Sequence, residues 1–110
     1  MDRRFAIMVL TLGLSACATS DARMLDEPVV RGLHIAQRAC ATCHAIEAGD
    51  ATSRARRAAP FASLEMRHTV GLEGRLAVLT SKGHYSMAPV ALTIGELADL
   101  RAYIESLHTH

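Results

Sequence analysis

Cys40-Ala41-Thr42-Cys43-His44 decides how this chain is read. The order C-x-x-C-H is the attachment sequence of a c-type haem. Its two thiols become thioethers on the porphyrin vinyl groups, and the next histidine takes the iron as proximal ligand. Residues three and four apart share one face of a helix, so Cys40, Cys43 and His44 can all meet one macrocycle. The plainer readings of C-x-x-C are a zinc half-site and a thiol–disulfide pair. Zinc needs a second ligand pair, and the sequence holds no other C-x-x-C, C-x-H or H-x-x-x-H cluster. A redox disulfide has no use for a histidine at the following position. One covalently attached haem c, with His44 as iron ligand, is therefore the expectation.

The N-terminus reads as an export signal. Arg3 and Arg4 form a positive start, and residues 5–14 make an apolar run too short for a permanent membrane span. Leu14-Ser15-Ala16-Cys17 resembles the lipobox of bacterial lipoproteins, in which cleavage precedes a cysteine that then carries lipid. Two or three acyl chains anchor a protein far more firmly than one. Ordinary secretion is the rival, because Ala16-Cys17-Ala18 and Ser20-Asp21-Ala22 also look like small-residue cleavage sites. Cleavage at either place puts the domain on the periplasmic side of a bacterial membrane. The three cysteines then divide as one for lipid (Cys17) and two for haem, with none left for a structural disulfide. The layout expected is a signal peptide over 1–16, a polar tether over 17–27, and one domain over 28–110.

Size and charge narrow the functional classes. Removing the first sixteen of 110 residues leaves 94, enough for one domain with a limited core of its own. The chain has no Trp, two Phe and two Tyr, and one Phe falls in the signal segment. Few large rings remain to fill an interior, and an apolar porphyrin would supply the missing centre. Of 12 Lys/Arg and 11 Asp/Glu, two basic residues and one acidic residue leave with the signal, so ten of each remain. Nucleic-acid binding is excluded on this balance, since a phosphate track wants a clear basic excess. Arg54, Arg56 and Arg57 cluster in an Ala/Ser/Thr-rich stretch. They read as a solvated loop, or as a docking patch for an acidic redox partner.

The hydrophobic pattern is helical throughout, with no period-two alternation and hence no expected sheet. Pro28 suits a first-turn position, and Val29, Leu33, Ala36 and Cys40 follow as a stripe into the C-x-x-C-H motif. A short piece is expected from about 62 to 68, and a third helix over about 72–80 with Leu72, Leu76 and Leu79 on one face. Thr93-Ile94-Gly95-Glu96 has the form of a capping box. Leu97, Leu100, Ile104 and Leu107 then form a buried stripe, with Tyr103 beside it.

A six-coordinate iron needs a second axial ligand. Met87, in Gly83-His84-Tyr85-Ser86-Met87-Ala88-Pro89, lies in a turn placed to approach from the face opposite His44. Pro89 stiffens that approach by fixing its own φ and restricting Ala88. Met66 is expected to pack in the core, and Met24 falls in the tether. His84 and His68 are the rival ligands. A His/Met pair raises the reduction potential of the iron.

These residues together resemble a small bacterial class I cytochrome c, over most of residues 28–107. Gly32, Ala36 and Cys40 stand at the family's spacing of glycine, aromatic and first haem cysteine, with Ala36 departing from the aromatic. Leu100 and Tyr103 match its Leu-x-x-aromatic on the last helix. The resemblance implies an all-α fold of three to four helices around one haem, in which Gly32 permits close crossing by the last helix. It also implies that Pro60 follows the haem site and that its carbonyl accepts the Nδ1–H of His44. The family's methionine is often followed directly by proline, whereas Ala88 intervenes here.

The expected activity is single-electron carriage between periplasmic or membrane-associated redox proteins, by a monomer and without catalysis. Two alternatives stand beside it. One is a haem-bearing subunit anchored to a membrane dehydrogenase or oxidase. The other is a catalytic or gas-binding haem with an open distal site, where His84 or His68 would serve as acid or base.

Overall fold

The computed structural model describes residues 27–67 and 71–108. The signal segment, Cys17, the tether as far as residue 26, and His68 lie outside the described residues. Among the described residues the chain is all-α: α1 (Pro28–Ala39), α2 (Leu64–Arg67), α3 (Leu72–Lys82) and α4 (Ile94–Ser106), with no strand. None of these helices is long and apolar enough to cross a membrane.

Local chemistry starts and stops each long helix. Pro28 opens α1, where its missing N–H costs nothing and its fixed φ is already helical. Arg38 sits in the last turn of α1, beside the carbonyl end of the helix dipole. At α4 the capping box is complete: the Glu96 N–H donates to Thr93 Oγ1 at 3.1 Å, and the Thr93 N–H donates to Glu96 Oε2 at 2.9 Å. The other oxygen of Glu96 takes Arg38 Nη2 at 2.6 Å, so one side chain caps α4 and links it to α1.

The core is the crossing of α1 with α4, with α3 against α4 as a smaller contact. Gly32 is the crossing point. A Cβ there would overlap the Asp99 carbonyl oxygen and lie 2.7 Å from the Cβ of Tyr103. No other residue lets the two backbones come this close. The buried face of α1 is accordingly Gly32, Ile35, Ala36 and Cys40, while Val29 is exposed and Leu33 only partly buried. This corrects the stripe expected from Val29 and Leu33: apolar periodicity identified a face, and the glycine rotated it. Ala36 is fully buried despite its small side chain, between Ile35 and the α4 residues Leu100, Tyr103 and Ile104 of the same cluster.

Leu97, Leu100, Tyr103 and Ile104 are the buried residues of α4, with Leu107 partly buried against them, as expected. On α3 the buried positions are Leu72, Leu76 and Thr80, and Leu79 is only half-buried. Thr80 is tolerated inside because its hydroxyl donates to the Leu76 carbonyl at 2.7 Å. Met66 packs in the core as expected, beside Phe61.

Charge reinforces the crossing. Arg31 Nε and Nη2 donate to the two Asp99 oxygens at 2.8 and 2.9 Å, a forked pair across α1 and α4. Hydrogen bonding by the Arg31 guanidinium, aided by its charge and opposed by burial, holds the Asp99 carboxyl below the usual carboxylate range. Gly32→Ala is expected to lower stability by about 1–3 kcal/mol, as overpacked cores do, measured as a fall in Tm or in the urea midpoint. Because the folded pKa of Asp99 is depressed, its stabilisation is complete above the ordinary carboxylate range and is lost as pH falls through the depressed value. Asp99→Asn is therefore expected to flatten the acid limb of a stability-against-pH curve while lowering stability at neutral pH.

Candidate functional site

The C-x-x-C-H residues lie at the C-terminus of α1 and just beyond it. Cys40 is the C-cap, and its N–H donates to the Ala36 carbonyl at 2.8 Å. The chain then adds one further turn: the Cys43 and His44 N–H groups both donate to the Cys40 carbonyl, at 3.1 and 2.9 Å. The motif is thus not inside a regular helix. The bond from His44 back to Cys40 nevertheless keeps a one-turn spacing between them.

Cys40 is buried and Cys43 half-buried, and they are not joined by a disulfide. Burial pushes the Cys40 thiol up to about 11, against a smaller opposing effect of the Arg38 charge. At neutral pH it stays protonated, unlike the low-pKa thiolates of redox dithiols. Among the described residues no three His, Cys, Asp or Glu side chains gather as a metal cage.

His44 is held from behind. Its Nδ1 lies 2.7 Å from the Ala59 carbonyl oxygen. An oxygen acceptor requires the hydrogen to sit on Nδ1, which leaves the lone pair on Nε2. This corrects the expectation that Pro60 supplies the acceptor. The Pro60 carbonyl instead accepts the Ser63 N–H at 3.0 Å, within the turn that leads into α2. Pro60 acts one step removed, because proline restricts the residue before it to extended backbone and so confines the peptide that carries the Ala59 oxygen. The Phe61 ring packs 5.4 Å from the imidazole.

The loop over 45–61 that carries Ala59 is itself tied to the motif. The Ala55 N–H donates to the Cys43 carbonyl at 3.0 Å, and the Phe61 N–H to the Ala45 carbonyl at 2.9 Å. Ser53 Oγ accepts the Ala45 N–H at 2.9 Å. The buried Tyr103 hydroxyl of α4 donates to the Ile46 carbonyl at 2.7 Å. His108 also reaches this loop, with Nε2 3.0 Å from the Phe61 carbonyl. No periodicity or motif marked Ser53, Ala59 or His108, since each acts through a bond between a side chain and the backbone of a residue outside its own turn.

Facing the histidine is the turn over 83–89. Gly83 has φ 71° and ψ 171°, a region that only glycine occupies freely. A Cβ at Gly83 would collide with the Met87 carbonyl oxygen. The Met87 N–H donates to the His84 carbonyl at 2.8 Å, closing the turn, and the Val90 N–H donates to the Thr80 carbonyl at 2.8 Å, tying its exit to α3. Tyr85 takes φ 49°, uncommon for a bulky residue and a mark of local strain. It is exposed, and the Arg57 guanidinium sits 5.5 Å over its ring, joining this turn to the loop that holds His44.

Between the two lies a cleft of about 290 Å³, lined by Cys43, His44, Arg56, Arg57, His84 and Met87 among others. A second cavity of about 410 Å³ also has His44 in its wall, with Ala41, Ile46 and Arg54. The structure therefore brings Cys43, His44 and Met87 to one cleft, with Cys40 buried behind. It places Pro60 in the turn behind His44. Arg54, Arg56 and Arg57 are exposed, and two of them form the rim of the cleft. With both thiols free, alkylation of the chain at neutral pH followed by peptide mass spectrometry is expected to label Cys43 well before Cys40. Equal rates would contradict the burial and raised pKa of Cys40.

No protein-family profile, curated protein or solved structure matches this chain.

Proposed function

We propose that this chain is a monohaem c-type cytochrome of the class I kind, carrying single electrons between periplasmic or membrane-associated redox proteins. The observation that carries the reading is the state of His44. Its Nδ1 is committed to the Ala59 carbonyl at 2.7 Å, so Nε2 offers a lone pair to a metal, in the manner of metal-bound histidines whose second nitrogen is held by an oxygen. That nitrogen belongs to a ring that lines two adjoining open spaces of about 290 and 410 Å³, which supports a flat macrocycle as the occupant. The two thiols of the C-x-x-C-H order fit the same group. The residues present fit a haem.

In this reading Cys40 and Cys43 would hold the group through two thioether bonds, and His44 and Met87 would ligate its iron. The bound group supplies a reversible one-electron couple at iron. The chain's part is to hold and shield. The Ala59 oxygen fixes the His44 ring and makes it a stronger donor. Phe61 packs beside that ring, against the α1–α4 core. No group is needed to take or give a proton, so the protein is a carrier and not an enzyme. Cys43, Arg56 and Arg57 border the open side of the cleft, where an acidic partner would meet positive charge and be oriented by it. The signal-like N-terminus and the lipobox-like Leu14-Ser15-Ala16-Cys17 support an exchange at the periplasmic face of a bacterial membrane, with lipid as the anchor.

Produced with its signal in a host that matures c-type cytochromes, the protein is expected to be coloured, with the pigment remaining on the polypeptide through acid-acetone extraction. A colourless product, or pigment released by that extraction, overturns the reading. With both axial positions filled, the reduced protein is expected to bind carbon monoxide only slowly. Rapid binding would point to the gas-binding alternative.

A further inference from the structure

We infer that His84 is a second protein ligand for the same iron position, competing with Met87 for the site opposite His44. The inference rests on the haem reading above and concerns this chain's own turn over 83–89.

The two imidazoles are neighbours in one cleft. The His44 and His84 ring centres are 6.1 Å apart with planes inclined by 50°, and both rings line the same cleft. Metal–imidazole bonds of about 2 Å, with roughly 1.1 Å more from each nitrogen to its ring centre, separate two rings sharing one metal by roughly 6 Å. The tautomers agree as well. His84 Nδ1 lies 3.4 Å from the Leu79 carbonyl near the end of α3, a long bond that favours the hydrogen on that nitrogen. Each histidine thus turns Nδ1 to a backbone carbonyl, which leaves Nε2 as the nitrogen on offer to a metal. The two carbonyls belong to different walls of the cleft, the 45–61 loop and α3.

Met87 leaves the same tight turn, its N–H bonded to the His84 carbonyl. Both side chains line the cleft, and a single coordination position admits one of them. The competition has a direction. Thioether sulfur is a soft donor that favours the reduced metal, whereas imidazole suits a wider range of metals, and His/Met ligation is the pair that raises the potential. Oxidation therefore shifts the balance towards His84, and reduction towards Met87. The left-handed Tyr85 and the glycine-only backbone at Gly83 hold a turn that can present either residue.

The test uses the full-length protein matured with haem, comparing wild type with Met87→Ala, the near-isosteric Met87→Leu, His84→Gln, and the double variant Met87→Leu/His84→Gln. Covalent haem is quantified for each by the pyridine haemochrome assay, and the ferric form is read by absorption and electron paramagnetic resonance. Both Met87 single variants are expected to remain low-spin with the signature of paired imidazoles, with a lower reduction potential than wild type. The double variant is expected to lose that signal and become high-spin, with azide now binding. A high-spin iron in both Met87 single variants, with covalent haem retained, overturns the inference while leaving the haem reading intact. Absence of covalent haem from the wild type overturns the haem reading and this inference with it.

Discussion

The contact of α1 with α4 at Gly32 governs the rest of the molecule. With only a hydrogen where other residues carry Cβ, the α1 backbone approaches the Asp99 carbonyl directly. Everything buried on α1 is set by that approach, because Ile35, Ala36 and Cys40 follow from the glycine at helical spacing. The forked Arg31–Asp99 pair and the Arg38–Glu96 pair flank the crossing. Both are partly exposed and contribute modestly to stability. Their value lies more in the relative placement of the two helices, since a two-point bond fixes orientation as well as distance.

From the crossing, geometry passes to His44 through a short series of bonds. Tyr103 on α4 donates to Ile46, two residues past the histidine. Ser53 and Phe61 hold Ala45 from either end of the loop. The Ala59 carbonyl then closes on Nδ1. A chain with few aromatic residues thus positions its candidate ligand mainly with backbone carbonyls, which are rigid once both flanking segments are bonded. The two ion pairs that link α4 to α1 and the capping box at its start serve the same end: they keep Tyr103 where its hydroxyl meets Ile46.

The turn opposite His44 is built on different terms. It has no helix of its own and depends on Gly83, on the bonds Met87 to His84 and Val90 to Thr80, and on the Arg57–Tyr85 contact. Such a segment has few buried contacts, which places it at the low-stability end of a fold, where functional movement is least costly. On the proposed reading, the proximal side of the iron is held by a bonded framework and the distal side by a strained turn. An exchange between two ligands belongs on the second.

Several features were legible in the residues alone because they are local. The C-x-x-C-H order, Pro28 at a helix start, the Thr93–Glu96 box and the Leu97/Leu100/Ile104 stripe each depend on neighbours within one or two turns. The all-α class follows from that period. Which face of α1 is buried, which carbonyl receives His44, and that His84 rather than Met87 alone faces the imidazole were decided only by the tertiary structure. Each of these depends on groups fifteen to seventy positions apart along the chain. A sequence shows which atoms can bond. The folded backbone settles which of them meet, because a carbonyl has no side-chain identity to read and its aim is fixed only when distant segments pack.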